Sequence, residues 1–193
     1  MNRHLPRHWQ NHPFPQLAHT RIASPTAEYR AEAAPYLAKA RLNGAEHHRF
    51  AHILCADDGE AAQQAHYRRH LCAAARLGNA AALYDLACYF RGGYPDLAQI
   101  VAPDAALAER LMDLAVRKGY PHALFERAWQ HLYHTGDSAR GREYLLRAAA
   151  GRSQAALLLL ADCHARGRFG FRRSRRLATF YKKSAWRDDV LGT

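Results

Sequence analysis

Three pairs of histidines have the spacing of metal ligands on a helix. Two pairs are four residues apart and the third is three apart, which places each pair on one helix face. A zinc site needs three or four converging ligands, and 13 histidines among 193 residues produce some such pairs by chance. We therefore interpret these side chains as structural or solvated, and we predict no metal and no cofactor. The pairs are His48 and His52, His66 and His70, and His131 and His134.

Catalytic motifs are absent from the sequence. It contains no G-x-S-x-G, no H-E-x-x-H and no phosphate-binding glycine loop. The glutamates at 60, 109, 126 and 143 are dispersed, which is typical of solvated helix faces. The sequence therefore predicts a protein that is not an enzyme and has no small-molecule substrate.

A basic run extends from Arg166 to Arg187 and contains no acidic residue. Phenylalanine and tyrosine side chains interleave with the cations, and arginine with aromatics can hold phosphates and stack on bases. Three interpretations stay open: a solvated face, a contact with an acidic protein, and a nucleic-acid interface. The run includes the candidate basic patch Arg168, Arg172, Arg173, Arg175, Arg176, Lys182 and Lys183.

The composition indicates which kinds of partner and which cellular compartment to expect. The net charge is +11, which attracts anionic partners. No stretch of 18 apolar residues occurs, so we predict no membrane span. The basic N-terminus has no continuous apolar core, so we expect no secretory signal and a cytoplasmic protein. The four cysteines contain no C-x-x-C pair, which fits that compartment.

The elements that must position these side chains come from an internal repeat. Residues 81–93, AALYDLACYFRGG, and residues 155–167, AALLLLADCHARG, match at several places and lie 74 residues apart. Small and large apolar residues recur at spacings of 3, 4, 7 and 8 around anchors at Gly44, Gly78, Gly119 and Arg152, a helical stripe repeated along the chain. The pattern predicts a mobile leader at 1–25 and a repeat domain at 26–193, with a half-repeat at 26–44 and helix pairs at about 45–78, 79–119, 120–152 and 153–189.

The pattern resembles the Sel1-like repeat, a relative of the tetratricopeptide repeat. The two quoted segments, residues 81–93 and 155–167, lie in the second and fourth helix pairs. The resemblance implies an all-α, right-handed superhelix (solenoid) of stacked antiparallel helix pairs. In the first repeat, His48 and His52 occupy places where alanine and leucine are usual. The matches quoted are Ala82, Leu86, Phe90 and Gly93 for the first helix of a pair, and Tyr144, Leu145, Ala148 and Ala149 for the second.

The resemblance also has implications for the function and for disulfide bonds. Proteins of this kind are widespread in bacteria as adaptors, signalling components and secretion-associated proteins, and some serve as toxin-immunity proteins. Some secreted members tie the two helices of each repeat with a disulfide. Here only the first repeat has a cysteine on both helices, Cys55 and Cys72, and Cys88 and Cys163 lack partners in their own repeats, so we expect buried free thiols.

By analogy with the tetratricopeptide register, certain positions on the first helix of each pair should line a concave groove. Under this hypothesis the protein is a scaffold that binds an acidic protein, with nucleic acid as the alternative partner. A register error of one helix turn would instead place Phe125 and Trp129 in the core. The groove candidates are Phe50, Tyr84, Arg91, Phe125, Trp129, Tyr133, Asp162 and Arg166.

Overall fold

The computed structural model describes residues 34–36, 38–39, 41–55, 61–92 and 103–186. The predicted leader at 1–25, the segment 93–102 and Arg187 lie outside these residues. Within them the secondary structure is helical, with no strand. The helices are α1 (Gly44–Cys55), α2 (Ala61–Arg76), α3 (Ala80–Phe90), α4 (Ala105–Arg117), α5 (Pro121–Gln130), a π-helical turn (His131–Thr135), α6 (Ser138–Ala150), α7 (Gln154–Arg166) and α8 (Arg175–Ala185).

The chain forms two compact units, residues 1–114 and residues 115–193. In the N-terminal unit, α1 packs on α2 and α2 packs on α3. In the C-terminal unit, α5 packs on α6, α6 on α7 and α7 on α8. Each of these contacts joins helices that are neighbours along the chain, as in proteins built from helix pairs.

The repeated alanines lie where helices touch. Most of them have no solvent-exposed surface. A methyl group in these places lets neighbouring backbones approach closely, while leucines such as Leu71, Leu86, Leu145 and Leu160 fill the remaining core and are also fully buried. The alanines with no exposed surface include Ala74, Ala82, Ala87, Ala115, Ala123, Ala128, Ala148 and Ala156.

Helix ends explain the repeat anchors. The backbone N–H of Asn79 donates to Ala74 O at 2.9 Å, that of Tyr120 to Ala115 O at 3.0 Å, and that of Ser153 to Ala148 O at 3.0 Å. The residue before each donor has a positive φ, 83° at Gly78, 77° at Gly119 and 66° at Arg152. Glycine takes this conformation without strain, whereas arginine does not. The same closing turn therefore ends the second helix in three successive pairs. At Arg152 the backbone of this turn is strained.

Side-chain caps fix where the following helices begin. The Asn79 side chain accepts from the N–H of Ala82 at 2.9 Å, and Asp104 accepts from Leu107 at 2.9 Å. Ser153 and Ser174 cap α7 and α8 in the same way. Asparagine, aspartate and serine are preferred at this position because they satisfy an orphan N–H of the first turn.

Candidate partner-binding surface

Three aromatic side chains stack along one face of the C-terminal unit. Phe125 and Trp129 are four residues apart on α5, and Tyr133 follows on the π-helical turn, so all three share a face. The rings of Trp129 and Tyr133 stack with centroids 4.1 Å apart and 28° between their planes. The Phe125 ring lies 6.1 Å from that of Trp129. Trp129 keeps 43% of its surface exposed, so this stack is open to solvent.

The loop after α7 completes this surface. Phe169 packs edge-on against Tyr133 with centroids 5.0 Å apart. The guanidinium of Arg168 lies 5.6 Å from the Tyr133 ring centre and 4.9 Å from that of Phe169, within cation–π range. We call the set formed by Phe125, Trp129, Tyr133, Asp162, Arg166, Arg168 and Phe169 the aromatic–arginine surface.

Asp162 orients both arginines of this surface. Its Oδ2 lies 3.3 Å from Arg168 Nη1, and its Oδ1 lies 2.7 Å from Arg166 Nε. One carboxylate thus places one guanidinium over the aromatic rings and a second beside it. The Arg166 side chain is 69% exposed, which leaves its charge available to an anion.

The backbone of the loop holds Phe169 in an unusual conformation. Phe169 has a φ of 52°, in the left-handed region that costs a residue with a β-carbon about 1–2 kcal/mol. Two contacts hold the part of the loop that follows Phe169: Arg142 Nη1 donates to Gly170 O at 3.2 Å, and the ring Nδ1 of buried His164 lies 3.0 Å from Arg172 O. Strain of this kind persists where the surroundings fix it, and it is frequent at binding sites.

Five of the eight groove candidates therefore lie in one place, namely Phe125, Trp129, Tyr133, Asp162 and Arg166. Two others lie on and just after α3 in the N-terminal unit. Tyr84 is half-buried there, and Arg91 is exposed with its Nη2 3.9 Å from Glu109 Oε1.

The groove assignment of Phe50 needs correction. Phe50 is 1% exposed and belongs to the core of the N-terminal unit. Tyr36 stacks on its ring with centroids 5.6 Å apart, and the His70 ring meets it edge-on at 4.7 Å. A residue this buried has no surface to offer a partner.

Phe169 and the role of Arg168 in this surface were not predicted from the sequence. Arg168 was assigned to the basic patch, and Phe169 was one of several aromatics within the basic run. Repeat spacing places residues on helices, but it does not say where a loop with three left-handed residues, Gly167, Phe169 and Gly170, directs its side chains. The adjacency of arginine and phenylalanine was the only sequence signal.

The rest of the basic patch is exposed. Arg172 and Arg173 precede the cap Ser174, and Arg175 and Arg176 form the first turn of α8. Lys182 and Lys183 lie in its last turn, where the helix dipole favours cations. The dipole disfavours cations in a first turn, so helix stability does not explain Arg175 and Arg176.

Cys163 is expected to react slowly with thiol reagents in the native protein. It is fully buried, and burial followed by the neighbouring Asp162 carboxylate raises the pKa of its thiol to about 11. An unfolded cysteine has a pKa near 8.5, so at about pH 8 the thiolate fraction is about 200-fold lower in the native state. The measurement is the rate of disulfide-reagent modification, with and without urea, in a variant whose other three cysteines are alanine. Similar rates in both conditions would contradict this burial.

A second polar cluster lies in the N-terminal unit. Asp85 Oδ2 on α3 is 2.8 Å from His48 Nε2 and 3.1 Å from His52 Nε2, and the two Nε2 atoms are 3.1 Å apart. Burial disfavours ionised Asp85, but the hydrogen bonds from both histidines outweigh it and lower the pKa of the carboxyl. The hydrogen bond with Asp85 raises the pKa of His52, against a smaller opposing effect of burial.

The side chain of His66, the partner of His70 in the second predicted pair, lies outside the part of the chain that the structure describes. His70 lies with its Nδ1 2.8 Å from that of His47, and burial lowers the pKa of His47. His131 stacks on Tyr144 at 5.6 Å. In the described part of the chain, His48, His52 and Asp85 are the set of three or more metal-ligating side chains whose ligand atoms converge.

A solved structure of a Sel1 repeat protein from Oxalobacter formigenes is similar to this chain, with a TM-score of 0.60 and 18% sequence identity. The match covers 76% of this chain and 59% of that one. At this identity the likeness shows the fold, and it confirms the predicted fold class, an all-α Sel1-like solenoid. No family model and no curated protein matches the sequence. No helix in the described ranges is both long and apolar enough to cross a membrane.

Proposed function

We propose that this chain is a non-catalytic protein-interaction scaffold whose aromatic–arginine surface binds an acidic protein or peptide. The observation that carries the proposal is Trp129, which is 43% exposed although Tyr133 holds its ring in a stack at 4.1 Å. Tryptophan, tyrosine and arginine dominate binding hot spots. An exposed tryptophan that is already fixed in place loses little side-chain entropy when a partner covers it.

Charge supports an acidic partner for the same surface. Arg166 and Arg168 stand beside the aromatic stack and share the single carboxylate of Asp162. The chain as a whole carries a net charge of +11, which raises the rate of encounter with an acidic surface and makes that rate depend on salt. The proposed partner therefore presents carboxylates around an apolar centre.

The setting of this scaffold follows from the family resemblance. We place it in the bacterial cytoplasm as an adaptor, in signalling, secretion or the neutralisation of a toxin. Each of these roles needs a rigid surface that recognises one protein and needs no cofactor. The resemblance supports the setting, and the surface supports the mode of binding.

A second candidate function is nucleic-acid binding through the basic patch. The observation that favours it is the exposure of Arg172, Arg173, Arg175 and Arg176 around the start of α8. Phe180 on the same helix is 57% exposed and offers a ring on which a base can stack. Binding of this kind weakens steeply with salt.

Affinity capture from the native cell extract, followed by mass spectrometry, tests the two functions. The protein is used as wild type, as Trp129→Ala, and as Trp186→Ala, the matched control because Trp186 is similarly exposed but lies outside the aromatic–arginine surface. We expect an acidic protein that survives nuclease treatment, and a loss of affinity of at least about 30-fold in Trp129→Ala alone.

Other outcomes of this capture would contradict the proposal. Equal retention by wild type and Trp129→Ala would exclude the aromatic–arginine surface as the binding site. Recovery of nucleic acid alone, abolished when the four arginines at 172, 173, 175 and 176 are changed to glutamate, would favour the second function.

A further inference from the structure

We propose that His48, His52 and Asp85 form a Zn²⁺ site with one open coordination position. Nε2 of both histidines and Oδ2 of Asp85 meet within 3.1 Å of one another. Two of the ligands come from successive turns of α1 and the third from α3, so helical backbone holds all three. The site lies entirely within the N-terminal unit.

Hydrogen bonding to Asp85 is one way to satisfy these side chains, and a bound cation is another. One carboxylate oxygen can accept from both imidazoles, in which case the two donor Nε2 atoms lie 3.1 Å apart around the same acceptor. If one Nε2 instead accepts, it points a lone pair toward the same carboxylate oxygen. A cation between the three atoms converts all three lone pairs into ligands. Tetrahedral zinc with bonds of about 2.0–2.2 Å requires only a small expansion of this triangle.

The two histidines depart from the repeat pattern. His48 stands at the position of Ala82, Ala123 and Ala156, all of which are fully buried alanines. His52 stands at the position of the buried leucine Leu86. The first repeat thus gives up two apolar contacts for two imidazoles that face a carboxylate. Metal binding supplies a reason for that exchange, which hydrophobic packing does not.

The ligand chemistry favours Zn²⁺ over Mg²⁺ and Ca²⁺. Two imidazole nitrogens and one carboxylate oxygen suit Zn²⁺, whereas Mg²⁺ and Ca²⁺ prefer oxygen ligands alone. Three protein ligands leave a fourth position for water or for a group from another molecule. The His52 side chain is 52% exposed and Asp85 is 13% exposed, so the metal enters from the His52 side and the open position faces solvent there.

Zinc titration of the purified full-length chain, after chelator treatment, tests the proposal. A chromogenic chelator competes for Zn²⁺ and reports the affinity, and Co²⁺ replaces Zn²⁺ as a spectroscopic probe. We expect one equivalent to bind with a dissociation constant below about 10 µM. We also expect the strong visible absorption of four-coordinate Co²⁺. Asp85→Asn and His52→Gln should each weaken Zn²⁺ binding at least about 30-fold and abolish the Co²⁺ band.

The matched control is the double variant His131→Gln with His134→Gln, which removes a histidine pair at helical spacing from the C-terminal unit. It should bind Zn²⁺ like wild type. Circular dichroism reports whether Asp85→Asn folds. If it does not fold, His52→Gln still tests the site, because it changes a half-exposed side chain. No single-equivalent binding, an affinity unchanged in His52→Gln, or an equal loss in the control would overturn the site.

Discussion

Replacing Phe50 by alanine is expected to lower the free energy of unfolding by about 3–5 kcal/mol, the usual cost of removing a buried aromatic ring. The Phe50 side chain is 1% exposed and touches the rings of Tyr36 and His70. Its removal takes apolar surface out of the core and leaves a cavity beside both rings. Urea denaturation followed by circular dichroism measures the change.

Phe180→Ala is the matched control, because the same ring is removed from a side chain that is 57% exposed on α8. A surface change of this kind shifts stability by about 0.5 kcal/mol or less. If Phe50→Ala were as mild as Phe180→Ala, Phe50 would be a surface residue, and its place in the predicted groove would stand.

Replacing Gly141 by valine is expected to destabilise the protein by about 3 kcal/mol, the upper range of overpacking. A β-carbon on Gly141 would lie 2.5 Å from Leu132 Cδ2, 2.6 Å from its Cγ and 3.2 Å from its backbone nitrogen. Leu132 lies on the π-helical turn, which packs against α6, and its side chain is buried there. Glycine is therefore the residue that lets α6 and the turn approach.

The graded variant Gly141→Ala should cost less, about 1 kcal/mol, because the better helix propensity of alanine offsets part of the clash. Ala139→Val on the exposed face of α6 is the control, with an expected loss below about 1 kcal/mol from helix propensity alone. Thermal unfolding of the four proteins gives the comparison. A Gly141→Val protein as stable as wild type would mean that Leu132 can move aside.

The fold could be predicted from the sequence because its determinants are local and repeated. Ala74, Ala115 and Ala148 occupy one template position and are all fully buried. Spacings of 3, 4, 7 and 8 identify a helix face without reference to any other part of the chain. Packing between chain neighbours then leaves few alternatives for the architecture.

The site was only partly predictable, for reasons of register and of distance. The sixth position after each anchor is half-buried at Tyr84 and Phe125, but at Phe50 the ring of Tyr36 covers it. The repeat pattern does not show which side chain covers the residue at this position in the first repeat. Neither can spacing pair His48 with Asp85, which lies 37 residues further on, in the next repeat.

The packing of each helix on its chain neighbours has a consequence for how fast the protein folds. Within each unit, the described helices pack mainly on their chain neighbours, so the entropy lost in closing loops before contacts form is small. Chains with such local contacts fold in microseconds to milliseconds, and stacked helix pairs can nucleate at more than one place. Newly made N-terminal helices can therefore bury their apolar faces before the rest of the chain is synthesised, which shortens their exposure to aggregation.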